Sequence, residues 1–168
     1  MMTTHAFKHT HDRPVGLSTG FAPESDQVNH AERMFGAPMH MVLVNDHGPA
    51  MSIMGWTLGS ARAEVEEGAG ATRNVVVEIV FSETGKYVVS ERIVTQLSDY
   101  ETLAATLSEH RSTREVRRYC DTTSPSFDPA RDATLAAALD HASRVWPWLK
   151  RPGRTRSFSG SIALPFAL

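Results

Sequence analysis

Residues 73–95, RNVVVEIVFSETGKYVVSERIVT, place β-branched and aromatic side chains at a period of two on either side of a glycine-containing turn. That spacing predicts a β-hairpin. Glu83, Thr84 and Gly85 suit a three-residue loop, because Gly85 can take the positive φ that closes a type I turn with a bulge. The loop sets the register. Ser82 opposes Lys86, and Phe81, Ile79 and Val75 oppose Tyr87, Val89 and Ile93 on one face, while Val80 opposes Val88 on the other. Glu78 falls diagonal to Arg92, within reach of a cross-strand ion pair. The same register puts Glu91 on the more apolar face, opposite Val77. A strand end open to water is the expectation for Glu91. The alternative is a carboxylate with a specific partner, the setting of a catalytic acid or base.

The rest of the chain reads as follows. Residues 24–35 suit a short helix, with Val28, Ala31, Met34 and Phe35 on one side and Gly36 as its stop. A first hairpin is predicted over 40–44 and 50–56, with Pro49, which has no N–H to donate, at the turn or on an edge. Residues 59–72, GSARAEVEEGAGAT, read as a linker holding at most a helical turn over 61–67. Ser98 and Glu101 match a capping box, and Tyr100, Leu103, Ala104 and Leu107 would form the buried stripe of the helix it starts. Ser112 and Glu115 repeat the box and predict a restarted helix through Tyr119. Residues 122–127 read as a loop. A last helix begins with Asp128 as cap and Pro129 at the first position, where a missing N–H costs nothing. Leu135, Ala138, Leu139, Ala142, Trp146 and Leu149 follow at helical spacing, and Pro147 ends or kinks the run.

The expected fold is therefore α+β: an antiparallel sheet from two β-hairpins packed against two or three C-terminal helices. Residues 1–38 form an N-terminal arm, partly disordered with a short helix, 39–157 a single α+β domain, and 158–168 an apolar tail or edge strand. A chain of 168 residues is long enough to bury one core.

Composition narrows the setting. Cys120 is the only cysteine, which excludes an intrachain disulfide and fits a reducing cytoplasm. The opening residues lack the apolar core of a secretory signal. No apolar run approaches the roughly 18–20 residues that a membrane helix needs, so no membrane association is expected. Net charge is −2, yet residues 1–105 carry 7 basic and 13 acidic side chains and residues 106–168 carry 10 and 6. That split favours an anionic partner for the C-terminal half.

Two basic clusters account for it. Arg111, Arg114, Arg117 and Arg118 form the first, with 111, 114 and 118 on one helical face. Lys150, Arg151, Arg154 and Arg156 surround Pro152-Gly153 in the second. The planar arginine fork suits phosphate and carboxylate alike. Trp146 and Trp148 adjoin the second cluster and offer stacking surfaces, although helical periodicity favours Trp146 as core. Glu109 and Glu115 dilute the first cluster, and a pI near 6.4 is low for a nucleic-acid binder. A solvated helix face with a basic loop is the reading without function. The tail SIALPFAL alternates Ile162, Leu164, Phe166 and Leu168 with smaller residues. Burying those four is worth several kcal/mol at ~25 cal/mol per Å², on its own sheet or as a strand added to a partner.

Other chemistries find less support. His5, His9 and His11 in the arm, and His40 and His47 around the first strand, lack a completing ligand set, so neither metal nor cofactor is expected. Cys120 follows Arg117 and Arg118, and His110 or His141 would be its base. It lies near a helix C-terminus, where the dipole disfavours a thiolate, and a small buried residue is expected there. No G-x-S-x-G elbow occurs, and the GAG at 68–70 lacks the Lys-Ser/Thr of a phosphate loop. The sequence points first to a non-enzymatic protein–protein interaction module, an adaptor or a subunit of a larger assembly. It would dock through its basic C-terminal half and apolar tail onto a partner with an acidic surface. The alternatives are a nucleic-acid-binding accessory protein using the two clusters, and a small enzyme using Cys120 or Glu91.

Overall fold

The central hairpin forms in the register that its turn dictates. Ser82 N donates to Lys86 O at 2.8 Å around a Gly85 with φ of 82°, and Phe81↔Tyr87, Ile79↔Val89 and Val75↔Ile93 pair on one face. A computed structural model of the chain describes residues 24–97, 100–121 and 128–150. Helix α1 (Glu24–Phe35) leads into five strands: β1 (Met39–Leu43), β2 (Met51–Glu67), β3 (Ala71–Ser82), β4 (Tyr87–Leu97) and β5 (Tyr100–His110). Helices α2 (Thr113–Cys120) and α3 (Pro129–Val145) follow, and the 3-10 turn Pro147–Leu149 ends the described part. The strands make one antiparallel sheet in chain order, so the fold is α+β with helices after strands. No helix among the described residues is long and apolar enough to cross a membrane.

Two elements differ from the sequence reading. Residues 59–67 are not a linker. They continue β2, which pairs with β3 down to Glu67↔Ala71, and only Gly68–Gly70 forms a 3-10 turn. The small side chains at Gly59, Ala61 and Ala63 mark close approach of a helix, not mobility. A Cβ on Gly59 would lie 2.5 Å from Ala142 N and 2.7 Å from Ala138 O, both on α3. Nor do residues 100–110 form a helix. Strand β5 pairs with β4 from Leu97↔Tyr100 to Tyr87↔His110 and so covers the edge of β4. The Ala and Leu content that suggests a helix is a weak preference, and edge pairing overrides it. Leu103 is consequently exposed, and Leu107 turns to the face away from the helices.

The main core lies between the sheet and the helices. Val75, Val77, Ile79, Phe81, Tyr87 and Val89 meet Leu135, Ala138, Ala142 and Trp146 there, with Ala31 of α1. Helix α3 packs chiefly across β2 and β3. The polar atoms of Trp146, Tyr87 and Trp56 are satisfied: Trp146 Nε1 donates to Tyr87 Oη (3.0 Å), Tyr87 Oη to Gln27 Oε1 (2.5 Å), and Trp56 Nε1 to Gly36 O (2.8 Å). Trp146 is thus core, as its helical spacing indicates.

A smaller cluster of Leu43, Val80 and Val88, with Met41, Ile53 and Leu107, lies on the opposite face. The sheet curls enough for the connection after β1 to reach β5, where Asp46 N donates to Ala105 O (2.9 Å) and Ala105 N to Asp46 Oδ2 (2.6 Å). The register shift between Thr57 and Gly59 in β2 falls within that curl, as a bulge does.

Gly59→Val should therefore push α3 off β2 and destabilise the protein by about 2 kcal/mol. Urea unfolding checks this, and the expected signature is a lower midpoint with an unchanged slope.

Candidate functional site

Glu91 illustrates how far the register alone carries. It faces the helices, as its pairing with Val77 requires, but it does not reach water: the residue is 3% exposed. The expectation of a solvated strand end is overturned, because two helices bring partners to it. Arg131, in the first turn of α3, donates Nε to Glu91 Oε2 (2.6 Å) and Nη2 to Oε1 (2.8 Å). Tyr119 of α2 donates its hydroxyl to the same Oε1. Burial pushes the Tyr119 phenol up to about 12, and its bond to Glu91 acts in the same direction, so it stays a donor.

A second ion pair holds the start of α3. The Asp128 carboxylate caps the helix, accepting from Arg131 N at 3.1 Å, and takes a bidentate contact from Arg73 of β3. Burial alone would raise the Asp128 carboxyl. The Arg73 guanidinium and the backbone N–H groups of Arg131 and Ala130 reverse that and hold it below its ordinary value. Glu67 Oε1 lies 2.7 Å from Arg73 Nε.

This polar cluster braces α2 and α3 against β4. Cys120, one residue beyond Tyr119, is buried, and burial pushes its thiol up to about 12, with Glu91 and Asp121 adding to the rise. It holds no thiolate at neutral pH. His110, at the end of β5, packs its ring 5.0 Å from that of Tyr119. Burial holds the imidazole below its ordinary 6.5, with Glu115 acting against the shift. His141 Nδ1 instead meets the backbone of Ser60. His40 shares a hydrogen bond of 2.7 Å with Ser52 Oγ. Among the described residues no three metal-ligating side chains come together. His5, His9 and His11 lie outside the described residues.

The brace orients α2, and α2 carries the first basic cluster. Its capping box forms: Ser112 Oγ accepts from Glu115 N (3.3 Å), while Glu115 Oε2 accepts from Arg111 N (2.8 Å). Arg111 therefore precedes the helix, and the helical face of the cluster consists of Arg114 and Arg118. Val116 and Cys120 form the buried face of α2, leaving Arg114 and Arg118 exposed. Arg117 donates Nη1 to Lys150 O at 2.8 Å. That bond brings Lys150, the first residue of the second cluster, to α2 across 33 residues of sequence.

Ion pairing separates these residues from all the other described basic side chains except Arg33 of α1. Arg62, Arg73, Lys86, Arg92, Arg131 and Arg144 each pair with a carboxylate. Among the described residues Arg111, Arg114, Arg117, Arg118 and Lys150 form no ion pair. A groove of about 480 Å³ opens beside Lys150, with Leu139 and Leu149 in its lining and Asp121 and Asp140 at its side. Arg151, Arg154 and Arg156 of the second cluster, and Ile162, Leu164, Phe166 and Leu168 of the tail, lie outside the described residues.

Glu91→Ala should strip Arg131 of its bidentate partner, leaving it only the 3.7 Å contact with Asp132, and destabilise the fold by about 3 kcal/mol, measured by chemical denaturation. His110 gives the pH dependence its sign. Its folded value is depressed, so as pH falls below about 6.5 the unfolded chain binds the proton first and stability declines. His110→Phe should flatten the stability profile between about pH 7 and 5.

No family model, curated protein sequence or solved structure matches this chain.

Proposed function

We propose that the protein is a non-enzymatic interaction module that docks an acidic protein surface on the basic face of α2 and the segment ending at Lys150. One observation carries the reading: the cations of this face are left without carboxylate partners, whereas six of the seven other described basic residues are paired, Arg33 being the exception. Surface pairs add little to stability, so leaving these five unpaired costs the fold little and keeps them available to a carboxylate-bearing partner. Arginine supplies four of the five, the side chain suited to bidentate contact.

Glu109, Glu115 and Asp121 interrupt the face. Interspersed acids suit a folded partner of mixed charge better than a continuous phosphate backbone, which rewards unbroken positive charge. We assign the apolar tail, residues 161–168, the role of a second contact with the same partner. A single thiol, buried in the fold, fits action in the cytoplasm.

Capture from the native host's lysate at low salt tests the reading, with the wild-type chain beside an Arg114→Glu/Arg118→Glu double variant. The expected result is a protein partner at fixed stoichiometry that the variant loses, with affinity down by a factor of about 100 or more. Captured nucleic acid, removed by nuclease and by salt, with the log–log salt slope falling by about 1 for each arginine replaced, would transfer the face to nucleic-acid binding. Equal capture by both forms would remove the face from function altogether.

A further inference from the structure

We propose that the groove beside Lys150 is filled by the chain's own residues 151–156, with the Arg154 side chain laid along its floor. Three elements build this groove of about 480 Å³. Asp121 comes from the end of α2, Ala136, Leu139, Asp140 and Ser143 from one face of α3, and Leu149 from the 3-10 turn. Leu139 and Leu149 are buried and form the floor, whereas Asp121 and Asp140 are exposed and stand at the rim. An apolar floor under a rim of carboxylates matches a side chain with an apolar stem and a cationic head, which is lysine or arginine. The partner assigned to the basic face is acidic, and Asp121 and Asp140 would repel it. Groove and face therefore take different ligands.

The occupant follows from where the chain leaves the helical layer. Lys150 itself lines the groove, and its backbone is held on both sides. Its N–H donates to Pro147 O at 3.1 Å, and its carbonyl accepts from Arg117 Nη1 at 2.8 Å. Residue 151 thus sets out from the lip of the groove. Residues 151–156 read RPGRTR and lie outside the described part. Pro152-Gly153 suits the two central positions of a type II turn. Such a turn returns the Cα of Arg154 to within about 7 Å of that of Arg151. Arg154 is then the cation that the turn brings back to the rim. A segment tethered over so few residues meets the groove at an effective concentration in the millimolar range, ahead of a partner arriving by diffusion. Asp140 also pairs with Arg144, one helical turn on. An exposed pair of that kind holds weakly, and a carboxylate has lone pairs for a second guanidinium.

The second basic cluster is divided by this arrangement. Arg154 turns inward to the carboxylates, while Lys150 stays with the outward cations. Residues 157–168 then start beside the last turn of α2, close to Arg118. On the docking reading above, to which this consequence belongs, one partner meets the cations of α2 and the apolar tail at adjoining places. The occupant of the groove does not depend on that reading.

Limited trypsin digestion of the full-length chain, read by mass spectrometry, tests the inference. It needs no partner, so its outcome is separate from that of the capture experiment. Trypsin takes an arginine side chain into its own pocket before cutting the bond that follows, and a guanidinium held in the groove is withheld from it. The reference is the ratio of cutting rates at Arg154–Thr155 and Arg156–Ser157 in a synthetic peptide of residues 150–168. In the full-length chain that ratio should fall about tenfold, because cutting after Arg154 tracks the fraction of time the groove is open. Asp121→Asn/Asp140→Asn should restore the peptide's ratio with circular dichroism unchanged. Asp140→Lys alone, at an exposed position, should restore it as well. The peptide's ratio in the full-length wild type would overturn the inference, as would protection at Arg154 that survives Asp140→Lys.

Discussion

The bidentate contact between Glu91 and Arg131 sets the layout of the helical layer. Around Glu91 the helix-facing side of the sheet is lined by Val77, Val89 and Ile93, so a carboxylate there has to be met by charge and by hydrogen bonds. Arg131 meets it from the first turn of α3, and Tyr119 from the last turn of α2. One acidic group thereby fixes both helices against β4. Arg73 and Asp128 repeat the arrangement one strand over, so the start of α3 is pinned from β3 and β4 together. A buried pair of this kind contributes less to net stability than to the choice of one geometry, because an alternative docking of α3 would strand a charge. The outward direction of Arg114 and Arg118 is a by-product of that choice.

How much of this was legible in the sequence follows from the range of the forces involved. The central hairpin, α1 with its stop at Gly36, the cap at Ser112 and the Asp128-Pro129 start of α3 all obey rules that act within a few residues, and each was readable. Residues 59–67 and 100–110 were misread because their Ala, Glu and Leu content speaks for one structure and their neighbours impose another. The small residues of β2 are small because α3 lies against them, a fact some 80 residues away. Glu91 shows both limits at once. Its inward direction came from the hairpin register, whereas its partner lies 40 residues on and left no local signal.

Charge followed the same pattern. Counting basic residues along the chain locates a positive C-terminal half, but it treats all of them alike. Arg131 belongs to that half and is taken up entirely by Glu91 and the N-terminal turn of α3. Arg144 sits one helical turn from Asp140 and pairs with it at 2.5 Å. Among the described basic residues of that half, those without an ion pair are Arg111, Arg114, Arg117, Arg118 and Lys150, a smaller set than the sequence count suggests. Lys150 joins that set because Arg117 reaches its carbonyl across 33 residues of sequence.

The order of strands in the sheet bears on how the chain reaches this state. Every strand pairs with its neighbour in sequence, so each hairpin can close over a short loop at little entropic cost. The ladder can zip from the 83–86 turn outward without waiting for distant segments. The remaining contacts are of another kind: Tyr87 with Gln27, Trp146 with Tyr87, Asp46 with Ala105 and Arg73 with Asp128 each join residues separated by 55 to 60 positions. Those closures add the helices and the β1–β2 connection to a sheet whose pairing is already local. Search time in folding is thus concentrated in the docking of the helical layer, and the meander beneath it supplies the template on which that search takes place.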